Sequence, residues 1–176
     1  MNEEIVDLEN NGIGPCLALY HANARNTGAA MQMWLHPAVR GQPGYISLKL
    51  AQQKGPERFD WWNSVYVQLY LSDLAKLQMV FTGQIEGTVN ERAGMDNTIR
   101  HTLDNGSVIV VDLSHKVDPY PAYSLSLVKI LPQSNAEQVQ ITLSNAEALA
   151  ISEAIRGAMH YVAFGVPHLI NTEEEQ

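Results

Sequence analysis

The chain of 176 residues has a single cysteine, Cys16, so neither an internal disulfide nor a cysteine-based zinc site can form. A reducing cytoplasm is the compartment that this predicts. No apolar run approaches the roughly 20 residues needed to cross a bilayer, so no membrane role is expected. The first eleven residues are acidic, which argues against a signal or transit peptide. GxSxG, P-loop, HExxH and helix-opening GxGxxG motifs are all missing, so neither an enzyme nor a cofactor is expected. The six histidines lack a tight ligand spacing, so no metal is expected either. Cys16 lies in an apolar stretch, where a small buried side chain is the simpler reading than a nucleophile.

Basic excess is also missing. The formal net charge is -8, where a nucleic-acid binder usually carries a basic face. Seven of the 19 acidic residues sit at the ends: Glu3, Glu4, Asp7, Glu9, Glu173, Glu174 and Glu175. Without them, 11 basic residues face 12 acidic ones, and the body is near neutral. We read residues 1–14 and 167–176 as acidic tails. They are solubilising segments in the simplest view, and the second is a candidate docking tail for a protein partner.

What is present is a repeat. Val67-Gln68-Leu69-Tyr70-Leu71-Ser72-Asp73 reads against Val139-Gln140-Ile141-Thr142-Leu143-Ser144-Asn145, and Leu77 against Leu149 keeps the same offset of 72. Each copy alternates apolar and polar, as a half-buried strand does, then meets Ser followed by Asp or Asn, a helix N-cap signal. Strands are predicted at Cys16–Asn23, Ala29–His36, Tyr45–Ala51 and Ser64–Leu71, followed by a helix from about Asp73 to Phe81 with Gly83 as its stop. Gln84 to Asn97 reads as a loop. The second half offers Thr98–Leu103, an Asn-Gly turn at Asp104-Asn105-Gly106, Ser107–Leu113, Ala122–Leu131 and Gln138–Leu143. A last helix spans about Asn145 to Phe164, with Ala148, Ile151, Ile155, Ala158, Met159 and Val162 as its apolar stripe. The fold class is therefore α+β, with two four-stranded antiparallel sheets each followed by a helix, ββββα repeated twice. One domain covers 15–166, with pseudo-repeats at about 15–83 and 98–166.

Phe59-Asp60-Trp61, followed by Val65-Tyr66-Val67-Gln68-Leu69 and the acidic helix start at Asp73, resembles the Whirly proteins. The strands at Ala122–Leu131 and Val139–Leu143 and the terminal helix resemble that family's carboxyl half. The resemblance spans roughly Cys16 to Val166, as topology more than identity. It implies two sheets related by a pseudo-two-fold, assembly through the helices as a homo-oligomer, commonly a tetramer, and binding of single-stranded DNA with little sequence preference. RNA remains open as a partner. The basic Lys-Gly-Lys-like motif of the plant members is missing, Lys54-Gly55 being only a fragment of it, and no organellar targeting segment is seen. A bacterial, phage or plasmid relative is therefore expected, acting in replication, recombination, repair or transcription.

Alternation sorts the residues that could hold a strand of nucleic acid. Flat rings stack on bases and cations meet phosphates. The polar face of the first sheet should carry Trp34, Tyr45, Lys49, Tyr66 and Tyr70. Such rings also suit a loop or subunit interface. Trp61 and Trp62 are adjacent and cannot share one strand face, so one belongs in the core and one, taken as Trp62, on the surface. Asp60 reads as a turn residue and Arg58 as a phosphate contact. Lys129, Arg100 and Lys116 are second-half candidates. The competing function is an acidic protein-interaction or regulatory module, anti-restriction-like in character, that uses the same sheet without nucleic acid.

Overall fold

The computed structural model describes residues 17–89, 97–116, 122–132 and 136–166. Cys16 and both acidic tails lie outside them. The first half contains β1 (Leu17–His21), β2 (Ala29–His36), β3 (Tyr45–Gly55), a two-residue β4 (Arg58–Phe59), β5 (Val65–Leu69) and α1 (Leu71–Phe81). The second contains β6 (Ile99–Thr102), β7 (Val108–Lys116), β8 (Ala122–Ile130), β9 (Glu137–Leu143) and α2 (Asn145–Phe164). All pairings between these strands are antiparallel. The first sheet runs β1-β2-β3-β5, with β4 paired to the far end of β3, and the second runs β6-β7-β8-β9. The ββββα unit, twice over, is the fold that the alternation predicted.

The first sheet departs from the prediction where β3 runs on to Gly55 and folds back through β4. Buried Gln53 anchors that extension. Its Oε1 accepts the Asn23 and Gly28 amides at 2.9 and 3.0 Å, and its Nε2 donates to the Asn23 and Gly55 carbonyls at 3.1 and 3.0 Å. One amide thus ties the β1–β2 turn to the β3–β4 turn. Gly28 must lack a side chain there, because a Cβ would stand 1.8 Å from the His21 carbonyl oxygen. Between β6 and β7, Gly106 takes the left-handed conformation (φ 78) that the Asn-Gly pair predicted.

One core joins the halves. Met31, Leu48, Leu50 and Leu69 of the first sheet, Val111, Leu127 and Ile141 of the second, and Leu74, Leu77, Ile151 and Ile155 of the helices belong to a single buried cluster. Each buried aliphatic side chain of this kind contributes about 1.5–3 kcal/mol. Helix α1 leans on β7, and α2 leans on β2 and β3, so each helix also covers the sheet of the other half.

The two halves correspond with a shift of 74 residues, not the 72 of the sequence match. Tyr70 caps α1 and Ser144 caps α2, and these are 74 positions apart. Asp73 accepts the Tyr70 amide at 3.0 Å and Glu147 accepts the Ser144 amide at 2.9 Å, each from the third helical position. Burial agrees. Leu77 and Ile151 are buried, whereas Leu149, the partner of Leu77 under the sequence match, is 63% exposed. Ser72 is therefore not the cap of α1; it lies one turn-position inside the helix. Gln78 and Ser152, also 74 apart, bond each other reciprocally: Gln78 Nε2 donates to the Ser152 carbonyl at 2.6 Å and Ser152 Oγ donates to Gln78 Oε1 at 3.1 Å. A residue that touches its own counterpart marks the pseudo-two-fold axis.

Candidate nucleic-acid interface

Direct antiparallel partners share a sheet face, so the registers build the outward surface of the first sheet row by row. His36 lies across from Tyr45. Trp34, Ser47 and Gln68 form the next row, then Gln32, Lys49 and Tyr66, then Tyr20 and Ala30. The inward rows hold buried Met31, Met33, Ile46, Leu48, Val65 and Val67. Trp34, Tyr45, Lys49 and Tyr66 thus stand on the face where alternation put them, half-buried apart from Tyr66, which is 37% exposed. Tyr70 sits just past β5 as the cap of α1, yet its ring remains beside Tyr45, with centroids 5.9 Å apart.

The rings fall into two groups with amides between them. The first is a ladder. His36 stacks on Tyr45 at 4.3 Å, Tyr45 meets Tyr70, and Tyr70 lies 6.2 Å from His101. The second lies toward β4. Tyr20 meets Phe59 at 5.8 Å, Phe59 meets Trp61 at 6.5 Å, and Lys49 Nζ stands 5.7 Å over the Trp61 ring. Between them Tyr70 donates its hydroxyl to Gln68 Oε1 at 2.9 Å, and Gln68 Nε2 donates to the Tyr66 hydroxyl at 3.3 Å. Hydrogen-bonded amides hold the rings at fixed angles, which lowers the entropy lost when a flat ligand lands on them.

Burial also sets the charge of this face. It lowers the pKa of His36, whose ring is in bonding contact with Ser47 Oγ at 3.0 Å, so the imidazole is neutral at pH 7. Burial, followed by the neighbouring tyrosines, raises Tyr45. Burial raises Tyr66 as well, against hydrogen bonds from Gln68 and Ser47. The charges here are therefore Lys49 on the face and Lys54, Glu57, Arg58 and Asp60 at the β3–β4 edge. Lys54 is engaged, its Nζ lying 3.3 Å from Asp60 Oδ2.

The remaining candidates fall elsewhere. Trp62 is 95% exposed on a turn, off the sheet face. The half-buried partner of the pair is Trp61, which packs into the ring belt and not into the core. Asp60 builds that turn: it accepts the Asn63 amide at 3.4 Å and the Asn63 side-chain amide at 2.9 Å, and these bonds with Lys54 hold its carboxyl below the ordinary value. Arg58 is exposed on β4. Lys129 does not join an outward surface. It pairs in register with buried Ile109 on the inward side of the second sheet, at its end, and its Nζ lies 3.9 Å from Glu137 Oε2. Tyr123 shares that inward side, stacked on His115 at 4.4 Å. Arg100 does face outward, with Val110 and Val128. Lys116 also faces outward, across from Ala122 at the end of β7, and the rest of the second outward face is Thr102, Val108, Asp112, Ser114, Ser124, Ser126, Ile130, Gln138, Gln140 and Thr142, without a ring.

Sequence reading missed Tyr20, His36, Phe59 and Trp61. Alternation along β1 would have found Tyr20, because Leu17 and Leu19 pair with Met33 and Met31 and leave Tyr20 outward. Phe59 and Trp61 depend on the fold-back through β4, which no periodicity in the sequence announces.

No family model and no curated protein matches the sequence. Solved structures do match. WHY3 from Arabidopsis thaliana superposes with a TM-score of 0.66 over 87% of this chain and 92% of that one, at 14% identity. The plant transcriptional regulator PBF-2 gives 0.62 over 83% and 80%, at 15% identity. A guide-RNA-binding protein complex bound to its RNA gives 0.57 over 86% and 94%, at 14% identity. These lend no support to the bacterial, phage or plasmid origin expected from the missing motif. At such identity the likeness is one of architecture: the chain has the Whirly-like fold.

Proposed function

We propose that this protein binds single-stranded nucleic acid, DNA in preference, with little sequence specificity, as a non-enzymatic cytoplasmic factor in replication, recombination, repair or transcription. The observation that carries this reading is the outward face of the first sheet, where stacked and tilted rings are spaced by amides and flanked by Lys49 and Arg58. Such a surface offers base stacking worth about 1–3 kcal/mol per base and needs few phosphates neutralised, which suits a chain of net charge -8. The fold likeness supports it, since one neighbour is described as bound to a guide RNA and another as a transcriptional regulator. The protein acts as a homo-oligomer, a tetramer joined through its helices, and the acidic carboxyl end is a docking tail for a protein partner.

The test is fluorescence anisotropy with labelled oligo-dT against a duplex of equal length, at low and moderate salt. Tighter binding of oligo-dT is expected at both. Equal or absent binding would overturn the reading and favour the protein-interaction module.

A further inference from the structure

Beside the ring belt lies a shallow groove of about 500 Å³, lined by Tyr20, Ala22, Glu57, Arg58, Phe59 and Trp61. That volume falls within the about 300–1,000 Å³ typical of small-ligand sites. Three walls are aromatic. The Tyr20 hydroxyl is held by Gln32 Nε2 at 3.2 Å, and Phe59 is in ring contact with both Tyr20 and Trp61. The two charged lining residues are neighbours in sequence, yet neither side chain has a hydrogen-bond or ion-pair partner among the described residues. Lys54, the nearest cation in sequence, is taken by Asp60. Glu57 also holds a positive φ of 53, one of two non-glycine residues among those described to do so. That conformation is the one the tight turn Gly55-Pro56-Glu57-Arg58 between β3 and β4 requires at its second central position.

A free carboxylate is a poor feature for a surface that binds a polyanion, unless it reads something. Resting on the single-strand reading above, we infer that this groove takes one unstacked guanine of the bound strand, with Glu57 accepting from the base edge and Arg58 meeting its phosphate. A carboxylate offers only acceptors. Guanine presents two adjacent donors on its pairing edge, N1–H and the N2 amino group, which match the two carboxylate oxygens. Cytosine and adenine place a ring-nitrogen acceptor beside their single amino donor, and thymine flanks N3–H with two carbonyls. Each of these sets an acceptor against the carboxylate. The otherwise sequence-neutral ring belt thereby acquires a preference at one position.

The experiment uses the full chain and a fifteen-residue oligo-dT with its central base replaced in turn by guanine, adenine, cytosine or inosine, since one guanine cannot form a quadruplex. Guanine should bind at least about fivefold tighter than all-thymine, the low end of what a bidentate side chain–base pair gives. Inosine, which lacks the N2 amino group, should lose most of that gain. Glu57→Gln should erase the guanine preference while leaving all-thymine affinity equal or higher, because a negative charge is removed from beside the strand. Equal affinity for all four bases in the wild type would overturn the inference while the single-strand reading stands on the oligo-dT result alone. A guanine preference that survives Glu57→Gln would overturn it as well. Free guanosine monophosphate that bound tighter than the guanine oligonucleotide would overturn the assignment to a strand.

Discussion

Trp34 and Tyr45 leave their strands on the side opposite Met33, Ile46 and Leu48, so their rings can be removed without opening the core. Trp34→Ala and Tyr45→Ala should each weaken oligo-dT binding by about 1–3 kcal/mol if a base stacks on the ring. Lys49→Ala should act differently, weakening all sequences alike and lowering the salt slope by about 0.7, the value for one lost single-strand phosphate contact. Unchanged affinity in all three, with circular dichroism intact, would remove this face from consideration. His36 supplies a separate test on the free protein. Burial holds its folded pKa below the ordinary imidazole value of 6.5, so between the two the unfolded chain binds the extra proton. The stability it contributes is therefore present above about pH 6.5 and falls as the pH drops through that value. Thermal melts of the wild type should lose more stability between pH 7 and 5.5 than those of His36→Gln, whose amide can still bond Ser47. Identical pH profiles would show that burial of this ring carries no such linkage.

Strands of period two and helices with a polar start were legible because each rests on a local pattern that the core enforces. The buried faces of β2, β3, β5 and β9 and the stripe of α2 are where alternation and helical spacing put them. What was not legible was the correspondence between the halves. A slip of two residues along a strand leaves every side chain on its own face, so a match at 72 and one at 74 look equally good over β5 and β9. The helix starts settle it, because capping requires one particular residue to stand three positions before a carboxylate. Asp73 serves Tyr70, and Glu147 serves Ser144. Ser144→Ala should consequently cost about 0.5–2 kcal/mol in urea unfolding, the usual loss for a serine cap, whereas Ser72→Ala should stay within about 0.5 kcal/mol. Equal costs would mean that the helices begin at the sequence-matched serines after all. The fold-back through β4 was illegible for another reason: it hangs on Gln53, one buried amide in an otherwise polar stretch, and on Gly28 in a turn 25 residues away. That is why half the ring belt escaped sequence reading.

At the scale of the molecule, apolar surface and charge each make a demand. Helix α2 covers the core with Ile151, Ile155 and Val162 but leaves Leu149, Tyr161 and Phe164 exposed, Phe164 at 71%. We propose that these side chains form the face through which copies of the chain assemble. Light scattering should give an oligomer at micromolar concentration, and Phe164→Asp should shift it toward smaller species with circular dichroism intact; a monomeric wild type would sink the assembly through the helices. The charge demand concerns affinity. The body carries almost as many basic as acidic residues, and the excess of -8 comes largely from the two ends. The expectation is that the acidic tail competes with a phosphate backbone for the few cations of the first sheet, Lys49 and Arg58 among them. Truncation after Asn171 removes Glu173, Glu174 and Glu175 and should tighten oligo-dT binding at low salt. Screening decides whether the effect is electrostatic. The Debye length shrinks from about 30 Å at 0.01 M to about 3 Å at 1 M salt, so the gain should fade as salt rises while the stacking contribution of Trp34 and Tyr45 persists. Titrations of the full and truncated chains from 0.02 to roughly 0.5 M salt would show affinities that converge. Curves that stay parallel would mean that the tail acts by some means other than its charge, and curves that coincide throughout would leave it without a part in binding.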